Sequence, residues 1–433
     1  MQTETSRQGA ADSANTSANT STHTGTFTAA QSVPWAAIIA GLCASLVGIG
    51  LARFAYSPLI PPLIQAHWFS ASSVVYLGAA NLAGYLVGAL AGRPMARHFR
   101  NVHILRVMML VVSLSFIGCA FPLSVAWFFA WRFASGVAGG AIMVLVTVTV
   151  LPHVPVARRG MASGAVFLGA GMGVAAAGTL VPLLLQLGLR QTWIGLGLVS
   201  FVLTAASWLC WPGSTVATAA AATPATSAAH SAGNTHDTQR PGFALKMLYV
   251  QYALMATGFV PGLVFLVDFV SRGLGQGAHV ASVCWVLYGL GAMVGPVMYG
   301  FIADRVGFGP ALRGVLLMQA VLMLMYAATG NIIIIGIVSV LVGTFPGGMV
   351  PLVLGRVHDM MPHDHAAQNL AWSRATIAFA LFQALSAYTY SYLFERSGGS
   401  HQLMFAIGAG AIALAFAVDL LVLAVKAKQR AKQ

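Results

Sequence analysis

Charged side chains are scarce in this sequence. Of its 433 residues, only 7% are Asp, Glu, Lys or Arg, while 58% are hydrophobic. A soluble domain carries roughly a quarter charged residues, and no core of this size could hide so much apolar surface from water. We therefore expect the lipid bilayer to solvate the folded chain, which excludes a soluble globular domain.

Acidic side chains are the scarcest charged group, with 9 Asp and Glu against 22 Lys and Arg and a net charge of +13. We do not interpret the basic excess as a nucleic-acid surface, because the basic residues lie in short loops between apolar runs, where charge sets membrane topology. An integral-membrane enzyme usually needs carboxylates or histidines clustered at one membrane depth, whereas most of them here lie in loops or tails. A Walker A sequence is also absent, so nothing supports ATP hydrolysis within this chain.

Cysteine is rare as well, and no pair of cysteines has the spacing of metal ligands. Each cysteine falls inside an apolar run, which predicts free thiols and no disulfide. The range 358–365 contains three histidines and two aspartates, which we interpret as a solvated loop rather than a metal site. We expect no metal and no cofactor. The four cysteines are Cys43, Cys119, Cys210 and Cys284.

Long apolar runs dominate what is present. A membrane-spanning helix needs about 20 apolar residues, and twelve runs meet this need. They predict an all-α integral membrane protein with twelve transmembrane helices in two pseudo-symmetric six-helix bundles. The predicted spans are 34–57, 72–92, 103–121, 124–150, 161–186, 192–211, 243–270, 281–303, 311–329, 331–354, 369–393 and 403–425.

The runs and their flanks predict five segments along the chain. Two of them are rich in small polar residues and predict disorder or flexibility, and the last is basic. The segments are a disordered cytoplasmic tail (1–33), a first six-helix bundle (34–211), a low-complexity cytoplasmic linker (212–242), a second six-helix bundle (243–425) and a basic cytoplasmic tail (426–433).

The distribution of Lys and Arg predicts the orientation. The second-to-third, fourth-to-fifth and eighth-to-ninth loops and the C-terminal tail are rich in Arg or Lys, whereas the loops on the other side contain only Arg190, Arg272 and Arg396. By the positive-inside rule, both termini lie in the cytoplasm. We expect a multi-pass protein of the bacterial inner membrane, present as a monomer.

A loop sequence repeats between the two halves. The range 300–307 reads GFIADRVG, and the range 92–100 repeats part of it at an offset of 208 residues, with Ala96 in the position of the acid. The pattern resembles the G-x-x-x-D-R-x-G signature of the major facilitator superfamily, which implies a transporter that rocks around a central site. The resemblance further implies that Asp304 meets the start of the eleventh helix near Asn369. The implied conformational-switch residues are Gly92, Arg97, Arg100, Gly300, Asp304, Arg305 and Gly307.

An arginine lies inside the fourth predicted helix. Arg132, Gly136 and Gly140 form a pattern that resembles the R-x-x-x-G-x-x-x-G element of the same superfamily. Arg132 lies about 12 Å into the membrane at 1.5 Å per residue, where a charge costs about 2.5–3.5 kcal/mol. The resemblance implies proton coupling or anion contact, and the alternative is a structural arginine that binds helix-end carbonyls.

Glycines recur at close spacing on three predicted helices. Faces of small residues let helix backbones approach closely, so we interpret these glycines as packing positions. They are Gly84 and Gly88 on the second helix, Gly136 and Gly140 on the fourth, and Gly169, Gly171 and Gly173 on the fifth.

The first helix carries the most distinctive motif, built from Gly50, Arg53, Phe54, Tyr56 and Pro58. It resembles the G-x-x-R-F-x-Y-x-P pattern of the YbfB/YjiJ-like branch of the superfamily. Arg53 is predicted near the outer end of this helix. It then either snorkels to the interface or faces the cavity and binds a substrate anion or an acid.

These features predict a secondary transporter that moves a small solute by alternating access. The acid that Arg53 is predicted to meet at an outer gate is Asp268, while Asp419 suits a structural pairing or an interface role. Two arginines in the first half favour an anionic or amphiphilic solute. Proton coupling and uncoupled uniport stay open, as do uptake and efflux. The substrate or coupling residues are Arg53, Tyr56, Arg132, Asp268 and Asp419.

The predicted topology can be tested with reporter fusions. We expect fusions at Thr218 and Lys432 to report a cytoplasmic location and a fusion at Ser397 to report the outside, because basic loops stay in the cytoplasm. Paired alkaline phosphatase and fluorescent protein fusions measure this. A cytoplasmic signal at Ser397 would contradict the topology.

Overall fold

Twelve helices long and apolar enough to cross a membrane make up the computed structural model, which describes residues 34–155, 158–212, 242–361 and 364–430. Within these ranges the regular structure is entirely helical. The predicted fold class is therefore confirmed. The predicted tail at 1–33 and nearly all of the predicted linker at 212–242 lie outside the described residues.

The first six helices form the first half. Four of them exceed 25 residues, which is enough to cross a bilayer with some tilt. They are α1 (Trp35–Gln65), α2 (Ala71–His98), α3 (Asn101–Cys119), α4 (Val125–Val150, continued by a short 3₁₀ turn), α5 (Arg159–Leu185) and α6 (Leu189–Ser207).

The second six helices form the second half and are longer on average. They are α7 (Phe243–Gly273), α8 (Gly277–Val306), α9 (Phe308–Ala328), α10 (Ile332–Met360), α11 (His365–Arg396) and α12 (His401–Arg430).

Polar side chains fix the starts of several helices. The hydroxyl of Ser124 accepts a hydrogen bond from the backbone N–H of Trp127 at 3.1 Å, and the carboxylate of Asp364 accepts one from Ala367 at 2.8 Å. Such caps satisfy N–H groups that have no partner within the helix. Asp364 thus begins α11, within the loop predicted to be solvated.

Glycines let α2 and α4 pack with their backbones in contact. A Cβ atom at Gly84 or Gly88 would collide with the backbone of α4, and one at Gly136 or Gly140 would collide with that of α2. The contact explains why these positions carry no side chain. In the second half, Gly291 and Gly295 of α8 meet the backbone of α10 in the same way, so the two halves share this packing.

The turn between α8 and α9 needs a glycine. Gly307 ends α8 with φ +85°, a left-handed conformation that residues with a Cβ rarely adopt. Its counterpart in the first half, Phe99, is extended with φ −128°. The first-half loop therefore turns by another geometry, which explains how it can lack the last glycine of the repeated motif.

The short connections between consecutive helices make the helices alternate in direction. The α2–α3, α4–α5, α8–α9 and α10–α11 connections lie at one end of the bundle, which we call the basic face because Arg97, Arg158 and Arg305 lie there. The α1–α2, α5–α6, α7–α8 and α11–α12 connections lie at the other end, called the opposite face.

The first helix is longer than predicted. It runs through a π-helical segment (Leu46–Leu51) and a 3₁₀ turn (Ser57–Leu59) and ends only at Gln65. Its prolines stand in the first turns of these short segments, where the missing N–H costs little. Arg53 therefore lies about 18 Å from the end of α1, at 1.5 Å per residue. The prediction that Arg53 lies near the outer end was wrong.

Candidate functional site

Arg53 lies at mid-depth between the two halves. Its guanidinium carbon is 5.2 Å from the ring centre of Tyr85 on α2, 5.5 Å from that of Phe54 on α1 and 5.9 Å from that of Phe259 on α7. The rings of Phe54 and Trp285 on α8 are 6.2 Å apart. Side chains of both halves therefore surround this one charge. Its surroundings would change if the two halves moved relative to each other.

No acceptor within the described residues binds the Nε and Nη2 atoms of Arg53, although both atoms are buried. The sequence from 34 to 211 contains no Asp or Glu, so the first half has no carboxylate to offer. Aromatic rings attract a cation by only about 0.5–2 kcal/mol each. A buried charge without a counter-charge costs several kcal/mol, and no described side chain compensates the charge of Arg53.

Arg132 is also buried, but it has protein partners. Its Nη1 atom donates to the carbonyl oxygen of Ala52 on α1 at 2.9 Å, and its guanidinium carbon lies 4.3 Å from the ring centre of Tyr56. The hydroxyl of Tyr56 in turn donates to the carbonyl oxygen of Val74 at 2.6 Å. This is the structural arrangement that the sequence left open for Arg132, and it connects α4, α1 and α2.

A small cavity separates the two arginines. Arg53, Tyr56, Asn81 and Arg132 line it from the first half and Leu263 from the second. About 10 Å³ is open to the centre of a water molecule, which is room for about one water. The two guanidinium groups thus share a polar pocket that no carboxylate enters.

Asp268 pairs with residues of its own half instead of Arg53. Arg272, one turn further along α7, binds both carboxylate oxygens, with Nη2 at 2.6 Å from Oδ2. The Nε2 atom of His401 on α12 lies 2.7 Å from the same oxygen. The predicted Arg53–Asp268 pair is therefore not formed, because Asp268 lies further towards the opposite face and two nearer partners bind it.

The Asp268 cluster borders a cavity at the opposite face. This cavity has a volume of about 650 Å³ and is lined by Arg272, His401 and Glu395, with Ala71 and Ser72 contributed by the first half. The ring of His401 also contacts the aromatic ring of Phe394, with ring centres 4.9 Å apart. A proton arriving from this side would meet Glu395 and His401 first, and Asp268 lies behind His401.

Asp419 connects three helices near the basic face. Its carboxylate lies 3.1 Å from Nη2 of Arg356 on α10 and 3.6 Å from Nη1 of Arg313 on α9. Asp419 is 3% exposed, so these arginines compensate a charge that water barely reaches. The structural pairing considered for Asp419 is the arrangement present here.

The charged residues of the loop motif are exposed at the basic face. Asp304 and Arg97 lie on the surface, and the side chain of Asp304 forms no hydrogen bond or ion pair with any described residue. The guanidinium carbon of Arg305 lies 4.0 Å from the ring centre of Phe301. The side chain of Asn369 lies outside the described residues, so contact between Asp304 and the start of α11 stays a prediction.

The two halves touch in the part of the membrane nearer the opposite face. Gly178 on α5 packs against Val286 on α8, and Gly171 packs against Met293. On the other side of the interface, the rings of Tyr76 on α2 and Tyr388 on α11 have centres 5.0 Å apart. The hydroxyl of Ser57 donates to the carbonyl oxygen of Leu263 at 2.6 Å, which joins α1 to α7.

The contact is looser towards the basic face. A Cβ atom at Gly164 on α5 or at Gly300 on α8 would meet nothing within 4 Å. Both positions lie closer to the basic face than the packed pairs do. The halves are therefore tightly joined at one end and leave space at the other.

Sequence reasoning missed several residues of these clusters. Arg356 was missed because the tenth predicted span ended at residue 354. An arginine two residues beyond a long apolar run was the signal that could have identified it. His401 lies 133 residues from Asp268, and no local pattern joins them. Tyr85 and Phe259 are aromatic residues in apolar helices, which sequence alone cannot distinguish from lipid-facing ones. Within the described ranges, no three His, Cys, Asp or Glu side chains come together as metal ligands do.

The chain resembles known proteins both in sequence and in fold. A family model described as "Uncharacterised MFS-type transporter YbfB" matches residues 45–420. The crystal structure of a D-xylose–proton symporter aligns with a TM-score of 0.66 and 16% identity, covering 88% of this chain and 96% of that one. The crystal structure of a mutant of the nucleoside transporter NupG aligns with a TM-score of 0.70 and 12% identity, covering 89% of this chain and 98% of that one.

A third structure is a bacterial homologue of the human lysosomal transporter Spinster in an inward-facing and occupied conformation. It aligns with a TM-score of 0.67 and 14% identity, covering 89% of this chain and 96% of that chain. Identities this low show a shared fold alone. Comparison with curated protein sequences gave no significant match.

The two buried arginines should differ in their effect on stability. We expect Arg53→Met to leave the melting temperature in detergent unchanged or higher, because it removes an uncompensated buried charge. Arg132→Met should lower it, because the change breaks a charged hydrogen bond worth about 1.5–3 kcal/mol. Thermal unfolding of the purified variants measures both, and the opposite order would contradict the assignment.

Proposed function

The chain belongs to the major facilitator superfamily, in the YbfB-like branch that the matching family model describes, and we propose that it is a secondary transporter that moves a small solute by alternating access. The family consists of transporters, so the chain is not an enzyme. The observation that carries the proposal is Arg53, a charge without a counter-charge at mid-depth, whose surroundings come from both halves.

The membrane and the orientation are part of the proposal. The excess of Arg at the basic face supports a cytoplasmic location for that face and for both termini, in the bacterial inner membrane. The segments 1–33 and 426–433 would then be cytoplasmic tails, and 212–242 a cytoplasmic linker between the six-helix bundles at 34–211 and 243–425. We expect the protein to work as a monomer.

With the basic face inside, the conformation is inward-facing. The halves pack tightly at the outer end, where Tyr76 contacts Tyr388, and leave space around Gly164 and Gly300 at the inner end. Three of the similar solved structures are in inward-facing or inward-open conformations, which supports this assignment.

The register of α5 and α8 suggests how the inner end closes. Gly178 on α5 contacts Val286 on α8, and Gly171, seven residues nearer the basic face, contacts Met293, which is also seven residues nearer that face. A further seven residues lead to Gly164 and to Gly300. Seven residues are about two helical turns, so both glycines lie on the faces that already meet. They would touch when the inner end closes.

The solute is proposed to be anionic or amphiphilic. Two arginines and no acid line the small cavity at the centre, so cations are repelled there. The aromatic rings around Arg53 can contact an apolar body. Uptake and efflux are both compatible with this arrangement, because alternating access works in either direction.

Coupling to protons is the second part of the proposal, and uncoupled uniport is its alternative. His401 lines the cavity at the outer face and is hydrogen-bonded to the buried Asp268, so protons from outside can reach Asp268 through His401. One of the similar structures is a D-xylose–proton symporter, which shows that this fold supports such coupling in that protein. Asp419 is less accessible and has two arginine partners.

Cross-linking tests alternating access. In a background lacking the four native cysteines, we expect Tyr76→Cys with Tyr388→Cys to cross-link in the inward-facing state, and Gly164→Cys with Gly300→Cys in the outward-facing state. Either cross-link should abolish transport, because each holds one end closed. Electrophoretic mobility after a short bifunctional thiol reagent reports the cross-link.

A matched control pairs Gly164→Cys with a cysteine at Phe301, the next residue on α8 and 54% exposed. This pair should not cross-link in any state. If the glycine pair fails to react under every ligand condition while the tyrosine pair reacts constantly, the inner closure does not occur as proposed.

Asp268→Asn tests proton coupling. Because Asn cannot release a proton, we expect it to abolish gradient-driven accumulation in proteoliposomes and to spare counterflow, which needs no net proton movement. Asp419→Asn is the comparison and should retain accumulation. Normal gradient-driven accumulation by both variants would place the coupling at another residue, and a parent protein that accumulates nothing would indicate uniport.

A further inference from the structure

We propose that Arg53 binds the carboxylate of a small organic monocarboxylic acid through its Nε and Nη2 edge, with the apolar body of the acid against the surrounding rings. The proposal rests on the proposed transport function and names its substrate class. It starts from the two guanidinium atoms that are buried and have no acceptor among the described residues. The cavity beside them has room for about one water here, so the acid binds when movement of the two halves widens it.

The Nε and Nη2 atoms form one side of the guanidinium plane. Their two N–H groups point in nearly the same direction and match the two oxygens of a carboxylate. The protein itself contains this arrangement, because Arg272 binds Asp268 with Nε on Oδ1 and Nη2 on Oδ2. Arg53 presents the same edge without a carboxylate from the protein.

No described acid is free to reach Arg53. Asp268 and Asp419 are bound by their own partners. The other four described acids lie at helix ends near the membrane surfaces and are exposed: Asp304, Asp359, Asp364 and Glu395. The counter-charge must therefore come from outside the protein, which distinguishes Arg53 from an arginine in a structural ion pair.

The neighbouring polar groups also favour an acceptor. The indole N–H of Trp285 and the hydroxyl of Tyr288 are buried and have no partner among the described residues. Their rings stack with centres 5.1 Å apart, and the Trp285 ring lies beside Phe54. An indole N–H can only donate a hydrogen bond, and a tyrosine hydroxyl can donate one. A ligand with acceptor oxygens fits this set, and an ammonium group does not.

One carboxylate is favoured over a dianion. Arg132 donates through Nη1 to the carbonyl oxygen of Ala52 and has one buried atom without an acceptor, Nε, whereas Arg53 has two, Nε and Nη2 on one edge. The remaining surroundings of Arg53 are the rings of Tyr85, Phe54 and Phe259. They suit an aliphatic or aromatic body, because a second charge there would lack a partner.

Binding to the purified full-length protein tests the proposal. The probes are phenylacetate and hexanoate, each compared with its neutral amide and with phenyl phosphate, by thermal shift and isothermal titration. We expect at least one carboxylate to bind, at least about tenfold more tightly than its amide, because the amide cannot accept two charge-assisted hydrogen bonds. Equal binding of carboxylate and amide, tighter binding of the phosphate, or no carboxylate binding would overturn it.

A lysine variant shows whether binding depends on the planar edge of the Arg53 guanidinium or only on its positive charge. Arg53→Lys keeps the positive charge but lacks the planar edge, so we expect it to weaken carboxylate binding by about tenfold or more. Arg396→Lys is the matched control, since Arg396 also lies over a ring, that of Tyr392, but is exposed at the opposite face. It should bind normally. Unchanged affinity in Arg53→Lys would contradict the proposal.

Uptake into proteoliposomes distinguishes this inference from the proposed function. Binding that depends on Arg53 without any transport would support the carboxylate site and overturn the transport proposal. Transport of a neutral solute by the Arg53→Met variant at the parent rate would support the transport proposal and overturn the carboxylate site.

Discussion

A half-buried guanidinium with two buried, unpartnered nitrogen atoms sets the main constraint on this structure. Arg53 sits at mid-depth, where the two halves meet, and rings from α1, α2 and α7 surround it. Such a charge costs several kcal/mol, which the fold must compensate elsewhere. The glycine contacts that bring α2 against α4, and the arginine that joins α4 to α1, hold the helices around it in place.

Charge is arranged differently in the two halves. The second half balances its buried acids locally, with Arg272 and His401 around Asp268 and two arginines around Asp419. These pairs lie within one half, so rocking of the halves need not break them. The first half contains no acid between 34 and 211 and so carries only positive charge. An anion bound at Arg53 would complete this balance and would contact both halves at once.

The sequence predicted the fold because hydropathy decides it. Twelve apolar runs can only become twelve helices in lipid, since every backbone N–H and C=O must find a partner within its own segment. It also identified Arg53 and Arg132, because a charge inside an apolar run stands out. It misplaced Arg53 in depth, since α1 continues through Pro58 and Pro61 where a break was expected. The partners of Asp268 could not be predicted, because His401 lies on a distant helix and its contact depends on tertiary packing.

An experimental structure of the protein with a bound monocarboxylate tests the central claim most directly. The measurement is the distance from each carboxylate oxygen to Nε and Nη2 of Arg53. The account predicts both distances at about 2.7–3.2 Å, with the body of the acid against Tyr85 and Phe259. A carboxylate bound away from Arg53, or an Arg53 that instead pairs with Asp268, would contradict it.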